Sequence, residues 1–397
     1  MKPLALSRVT ATSCIGTGLA ATLDALQSER GGLAPCHFET VELDTYVGEV
    51  PGLEHEPLPS GLAPFECRNN RLAWLGLRQD GFIEAVARSA ARWGPRRIGI
   101  FLGTSTSGIL ETEIAYRHRD PQSGALPAEF NYAGSHNCYS VADFTRQVLG
   151  LEGPAAVIST ACSSGAKVFG AAQRMIAAGV IDAAVVGGVD SLCLTTLYGF
   201  HSLQLTSRLP CRPFDAARDG ISVGEAAAFA LLEPVPPAEP QLGIGLFGVG
   251  ESSDAYHLSS PQPQGQGARV AMQRALKSAA IDPAAVDYIN LHGTGTVSND
   301  SAESLAVEAV FGTDIACSST KGATGHALGA AGALESVICA LALQHAFIPG
   351  GLNLTVLDPA CHLSYQAHNS AAIVQYAVSN SFGFGGTNCS LIFGLLD

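Results

Sequence analysis

Ala155-Ala156-Val157-Ile158-Ser159 leads through Thr160-Ala161-Cys162-Ser163-Ser164-Gly165 into Ala166-Lys167-Val168-Phe169-Gly170-Ala171-Ala172-Gln173-Arg174-Met175-Ile176, and this stretch decides the fold class. The first segment is short, apolar and β-branched, the pattern of a buried strand. The last is alanine-rich and long enough for a helix. Val185-Val186-Gly187-Gly188-Val189 reads as a second buried strand whose glycines permit close packing. Strand, helix and strand form a β-α-β unit, the mark of a parallel sheet and an α/β protein. Cys162 stands where the strand turns into the helix, facing unpaired N–H groups and the positive end of the dipole. Both favour thiolate, so a lowered pKa is expected there. A cysteine in such a place is more often a buried apolar residue, so its case rests on what lies downstream.

Working outward, Leu232-Glu233-Pro234-Val235-Pro236-Pro237-Ala238-Glu239-Pro240 is the clearest punctuation, since prolines this dense continue neither a helix nor a central strand. It divides the chain into 1–240, carrying the cysteine, and 241–397. Beyond it the pattern predicts a glycine-rich strand over Gly243–Gly250 and a helix from about Gly267 to Ala280. A strand over Val286–Leu291, an alanine-rich helix over Gly329–His345, and C-terminal strands near Ala371–Val378 and Ser390–Phe393 follow. The same strand–helix grammar on both sides points to a pseudo-duplicated α/β architecture. Residues 105–145, broken by Pro121, Gly124, Pro127 and Gly134, read as an irregular excursion at the surface or a subunit contact.

A 397-residue chain that is 47% hydrophobic and 14% charged buries a large core. Its formal charge of −13 and lack of a basic block argue against nucleic-acid or anionic-membrane binding. The eleven cysteines include no Cys-x-x-Cys pair, so neither a disulfide framework nor a zinc site is suggested. The Met1–Ser7 start lacks the pattern of a signal peptide, and charges or glycines interrupt every apolar run before it reaches membrane-span length. The expectation is a reduced, cytoplasmic globular protein.

Further motifs strengthen Cys162. His292-Gly293-Thr294-Gly295-Thr296 places an imidazole at a strand's carboxyl end, where α/β proteins build their sites. Lys321-Gly322-Ala323-Thr324-Gly325-His326 precedes an apolar helix. Asn380-Ser381-Phe382-Gly383-Phe384-Gly385-Gly386-Thr387-Asn388 offers glycines that take positive φ and aim N–H groups into a cavity. Each alone is weak, and other histidines such as His37, His55 and His118 read as ordinary polar residues. Cysteine, two histidines, lysine and glycine loop in this order are far more specific.

In the order and spacing of these motifs the chain resembles, over nearly its whole length, the β-ketoacyl-acyl carrier protein synthases, the elongating condensing enzymes of type II fatty acid and polyketide synthesis. The resemblance implies a thiolase fold, with two pseudo-duplicated halves in a five-layered α-β-α-β-α arrangement, working as a dimer. It implies that Cys162 takes the acyl chain as a thioester, and that the N–H groups of Cys162 and Phe384 form the oxyanion hole. Phe384, flanked by Gly383 and Gly385 in the substrate-binding loop, would also gate the acyl pocket. His292 and His326 would promote malonyl decarboxylation, Thr294 and Thr296 would hold the phosphopantetheine arm, and Lys321 would support the His326 side. Asp300 and Glu335 match acidic residues of the family's polar network. No metal or resident cofactor is implied, because the phosphopantetheine arm arrives on the acyl carrier protein. Arg212–Asp215, Arg218–Gly220 with Gly224–Ala227, and Ser252–His257 resemble loops near the gate and the entrance.

The chain also departs from its fatty acid relatives. Lys167 stands where many carry histidine, and Thr106 lies in the Gly103–Gly108 loop that closes the acyl pocket, which predicts altered depth or polarity. Cys67-Arg68-Asn69-Asn70-Arg71 resembles condensing enzymes of aryl polyene pathways, implying a rigid conjugated aryl chain as substrate and a chain-length-factor-like partner in a heterodimer, beside the homodimer alternative. Acyl carrier proteins are acidic, so Arg68, Arg71 and Arg208 are expected at the entrance. The competing reading from another class is a non-catalytic chain-length factor, which usually lacks the nucleophile. A degradative thiolase would use a second cysteine, and Cys389 lies outside such a motif. An initiating synthase would show asparagine in place of His326.

Overall fold

The computed structural model describes residues 2–235 and 243–396. Its framework is one continuous sheet, and the chain builds each side of it by the same route. From the seam outward, the first side runs Leu4–Ser13, Ala226–Pro234, Ala183–Asp190, Ile98–Gly103 and Ala155–Ile158. The second side runs Gly243–Ser253, Thr387–Leu396, Tyr376–Gly383, Tyr288–Asn290 and Ala316–Ser318, with Ser364–Tyr365 at its edge. Numbered within each half, both orders are first, fifth, fourth, second, third. The pairings match too: the first three strands alternate antiparallel, and the outer ones run parallel. The sides meet where Leu4 pairs with Leu246 and Ala5 with Gly245.

Helices are numbered in chain order. Helix α6 (Ser164–Ala177) packs on Ile98–Gly103 and Ala183–Asp190 from one side and on Gly243–Ser253 and Thr387–Leu396 from the other. Helix α11 (Ala331–His345) likewise touches strands of both sides. These two form the middle layer. Helices α2 (Arg68–Leu77), α3 (Phe82–Trp93) and α5 (Ser140–Leu149) cover one outer face through Leu72, Phe82 and Phe144. Helices α8 (Gln266–Ala279) and α9 (Val297–Phe311) cover the other through Met272, Ala306 and Val307. The result is the five-layered thiolase fold. Leu328–His345 is apolar and long enough to cross a membrane, yet 89% of it is buried as this central helix.

Several expectations change in detail. Ala155–Ile158 is only half-buried, because it lies at the sheet's edge with Ile98–Gly103 as its one neighbour. The strand into the proline-rich junction runs on to Pro234, its last residue, which lies beyond the final pairing of Leu232 with Ala184, and the 240/241 boundary lies outside the described residues. The excursion contains helix α4 (Ile109–Arg117) and the start of α5, with 118–139 irregular between them.

The middle helices cross at glycines. A Cβ on Gly165 would lie 2.7 Å from the Gly329 carbonyl, and one on Gly332 would lie 2.7 Å from the Ala166 amide. Neither neighbour is a flexible side-chain end, so the backbone itself would have to move. Gly332→Ala is therefore expected to destabilise the fold by about 2 kcal/mol through overpacking, read as a lower urea midpoint. An unchanged midpoint would show that the helices separate without cost.

Candidate active site

The duplicated route explains why distant residues meet. Cys162 follows the third strand of the first half, His292 the second strand of the other half, Lys321 and His326 its third, and Phe384 its fourth. All lie at carboxyl ends of strands, and the two sides share one sheet.

Cys162 sits on a tight turn ahead of α6. Ala161 before it holds a left-handed φ of 51°, costing roughly 1–2 kcal/mol for a residue with a Cβ. The turn is secured by Thr160 N–H donating to Ser164 Oγ and Ser164 Oγ–H donating to the Ala161 carbonyl. Cys162 Sγ lies 3.0 Å from His326 Nε2. The His326 and His292 rings meet edge to face with centroids 5.2 Å apart, and Phe382 packs 5.8 Å from His292. Lys321 Nζ donates to the His292 carbonyl at 2.5 Å and to Glu335 Oε1. Cys162, His292, His326, Lys321 and Glu335 are all buried.

The expected thiolate is corrected by this environment. Burial pushes the Cys162 thiol up to about 12, against the pull of the Lys321 charge and of the N–H groups of Phe384 and Cys162 itself. The helix N-terminus was legible in the sequence, whereas the depth of burial was not, and burial wins. Burial, then the Lys321 charge, holds His292 and His326 well below the usual histidine range, so both rings are neutral at pH 7. A neutral imidazole beside a thiol is a general base that ionises the sulfur only when it attacks. Glu335 is raised to about 7 by burial, opposed by its bond to Lys321.

The His292 loop is built by two carboxylates of α9. Glu303 accepts the N–H groups of His292 and Gly293, each at 2.8 Å, and burial raises it to about 7. Asp300 accepts from Thr294 N at 3.0 Å and Phe214 N at 2.8 Å, with Arg218 Nε at 3.5 Å. Thr294 and Thr296 share a hydroxyl hydrogen bond of 2.9 Å and line the cleft over Cys162. That cleft has a volume of about 590 Å³, counting space open to solvent, and its walls include the rings of Phe200, Phe382 and Phe384. Gly383 lines it too, while Gly385, at φ 82°, donates its N–H to the Leu258 carbonyl and ties the Phe384 turn to the 254–261 loop.

The sulfur and ring nitrogens of Cys162, His292 and His326 lie within 4.8 Å of one another. By type they could hold zinc, but the Lys321 ammonium acts on all three and opposes a dication there.

Other expected residues fall elsewhere. Arg68 is buried and forked onto Glu225, at 2.9 and 2.6 Å, so it cannot meet a partner at the entrance. Arg71 is held by Glu66 and the Glu54 carbonyl, whereas Arg208 is exposed. Thr106 is buried and turned onto Asp190 at 3.0 Å, outside the cleft walls, so its hydroxyl serves the loop rather than the pocket. Lys167 pairs with Glu251 at 3.8 Å. Sequence reasoning missed Glu303 and Phe382, although Glu303 stands three residues after Asp300, on the same helix face. It also missed Asp190, which gathers Thr104, Thr106 and Gly329, and only pairing across the sheet reveals it.

The family profile described as beta-ketoacyl synthase, N-terminal domain, matches residues 62–238, and that described as beta-ketoacyl synthase, C-terminal domain, matches 246–355. The 3-oxoacyl-[acyl-carrier-protein] synthase 2 of Rhizobium meliloti is 41% identical over 262 residues, 61% of this chain and 61% of that protein, so the chain spans less than two thirds of that relative. The protein of the same name from Vibrio cholerae is 30% identical over 406 residues, 96% of each. The structure of a ketosynthase in complex with its chain length factor from Xenorhabdus doucetiae superposes with a TM-score of 0.90 at 36% identity, covering 100% of this chain and 98% of that one.

A resting thiol raised to about 12 has a thiolate fraction that grows about tenfold per pH unit. Alkylation of Cys162 by iodoacetamide should therefore climb steadily from pH 7 to pH 10, followed by mass spectrometry. A flat rate through this range would mean a thiolate already formed.

Proposed function

The chain belongs to the β-ketoacyl synthase family, and we propose that it is an acyltransferase joining an acyl thioester to malonyl-acyl carrier protein by decarboxylative Claisen condensation. The observation that carries this reading is the buried cluster of Cys162, His326 and His292, with Cys162 Sγ 3.0 Å from His326 Nε2.

In the first half-reaction Cys162 Sγ attacks the acyl carbonyl while His326 Nε2 takes the thiol proton. The Cys162 and Phe384 N–H groups, which already act on the sulfur, receive the developing oxyanion. The bond to the carrier's sulfur breaks, and that thiol leaves with the proton from His326. Once Cys162 is acylated, His326 Nε2 no longer serves a thiol and can carry an N–H. In the second half-reaction the malonyl carboxylate departs as CO2, and the electron pair left on carbon is held as an enolate by the ring N–H groups of His292 and His326. That carbon attacks the acyl thioester, the bond to Cys162 breaks with its electron pair left on the sulfur, which takes up a proton from solvent to restore the resting thiol, and the β-ketoacyl product stays on the carrier. Lys321 holds the His292 backbone, Asp300 and Glu303 fix its loop, and Glu335 partners Lys321. Thr294 and Thr296 receive the phosphopantetheine arm, which comes on the acyl carrier protein, so no resident cofactor is needed.

The three phenylalanine rings of the cleft favour a flat, conjugated primer over a flexible one, in keeping with the aryl polyene likeness of Cys67–Arg71. Likeness to a ketosynthase seen with its chain length factor supports a heterodimer with such a subunit. A purely structural subunit would have no use for a nucleophile beside a base, which favours catalysis here. Eleven free cysteines suit a cytoplasmic setting.

Incubation with a panel of saturated and aryl-polyenoyl carrier thioesters should add one acyl group to the wild type and none to Cys162→Ala by intact mass, with the polyenoyl primer preferred. No adduct with any primer, alone or with a co-expressed partner, would overturn the reading. His292→Ala should still acylate but release CO2 from malonyl-carrier protein about 10²–10⁴ times more slowly; an undiminished rate would remove His292 from the decarboxylation step.

A further inference from the structure

One wall of the cleft is held by surprisingly little. Helix α7 (Leu194–Ser202) carries Phe200, whose ring packs on Phe384 with centroids 5.6 Å apart. Its sequence, Leu-Thr-Thr-Leu-Tyr-Gly-Phe-His-Ser, includes two β-branched threonines and Gly199, all weak helix formers. Leu197 is its one fully buried side chain, and Cys193 at its N-cap position provides no side-chain cap. The first N–H groups of the helix are satisfied from another element. Glu113 of α4 accepts from Leu194 N at 2.9 Å and Thr195 N at 2.6 Å, and also takes the Thr195 hydroxyl. A carboxylate there both caps the helix and complements its dipole.

We infer that Glu113 is a positioning residue for the acyl gate, capping α7 from α4 and so fixing Phe200 against Phe384. The inference rests on the reading of the cleft as an acyl-binding site. Without the carboxylate, the first turn of α7 loses its partners. Leu197, helped only by the half-buried Leu194 and by Phe200 itself, then holds the helix too weakly to keep Phe200 on Phe384. The wall that limits entry of a long chain becomes loose, while the cysteine, histidines and lysine, which lie on other elements, stay in place.

The test reads access to Cys162 without using the reaction. Wild type, Glu113→Gln, Glu113→Ala, Gly199→Ala and the Glu113→Ala/Gly199→Ala double variant are alkylated with iodoacetamide and with N-octyl iodoacetamide. The ratio of long to short adduct at Cys162 is measured by mass spectrometry. Losing a cap of ordinary strength should raise the ratio about fivefold in Glu113→Ala. Glu113→Gln, which keeps an acceptor oxygen, should fall between it and the wild type. A Cβ on Gly199 meets nothing within 4 Å, so Gly199→Ala should strengthen the helix, lower the ratio, and pull the double variant back towards wild type. A general structural role for Glu113 would lower the melting temperature and leave the ratio unmoved, which would overturn the inference. Should the Glu113 variants fail to fold, Gly199→Ala decides alone, since an unchanged ratio there would also overturn it. Failure of the wild type to accept any acyl group would sink the proposed reaction but leave this ratio measurable.

Discussion

A charged ammonium at the centre of the molecule organises the rest of the site. Lys321 is buried, bonded to the His292 carbonyl and to Glu335, and its charge acts on Cys162, His292 and His326 together. Burying such a pair costs several kcal/mol per ion before its attraction offsets the loss, so it makes poor sense as a device for stability. Its electrostatic effect is more telling. A fixed cation draws the thiol towards ionisation and, with burial, denies the two imidazoles a proton. The cluster is therefore poised rather than pre-ionised: proton acceptor, nucleophile and hydrogen-bond donors are all present, and charge appears only as bonds change.

The sequence carried the local part of this clearly. The strand–turn–helix around Cys162 and the glycines of the Phe384 loop are short-range patterns, and each stands where the motif reading put it. The matching strand orders of the two halves were not legible, because pairing Leu4–Ser13 with Ala226–Pro234 joins segments more than 200 residues apart with no periodic trace. Arg68 shows the same limit from the other side. An arginine near a helix start reads as a surface cation until Glu225, 157 residues away, is seen to hold it. Thr106 was expected in the acyl pocket on the family pattern, and Asp190 turns it away. The Cys162 thiol is the most instructive case, since helix position was visible in sequence and burial was not.

The gate side of the cleft is assembled differently from the catalytic side. Cys162, His292 and Lys321 sit at strand ends and on buried turns with several hydrogen bonds each. Phe200 and Phe384 ride on a weak helix and a glycine turn, tied through Glu113 and through the Leu258 carbonyl. Rigid chemistry beside an adjustable wall would suit the proposed reaction, in which the cleft must admit a long acyl chain.

The central claim, that the resting histidines are neutral and the cysteine a thiol, is tested most directly by ¹⁵N NMR of the imidazoles as pH is lowered from 8 to 5, with His292→Ala and His326→Ala for assignment. Neutral-ring shifts for both throughout this range are the predicted result. An imidazolium signal from His326 at pH 7, lost in Cys162→Ala, would reveal a preformed thiolate–imidazolium pair and contradict the account.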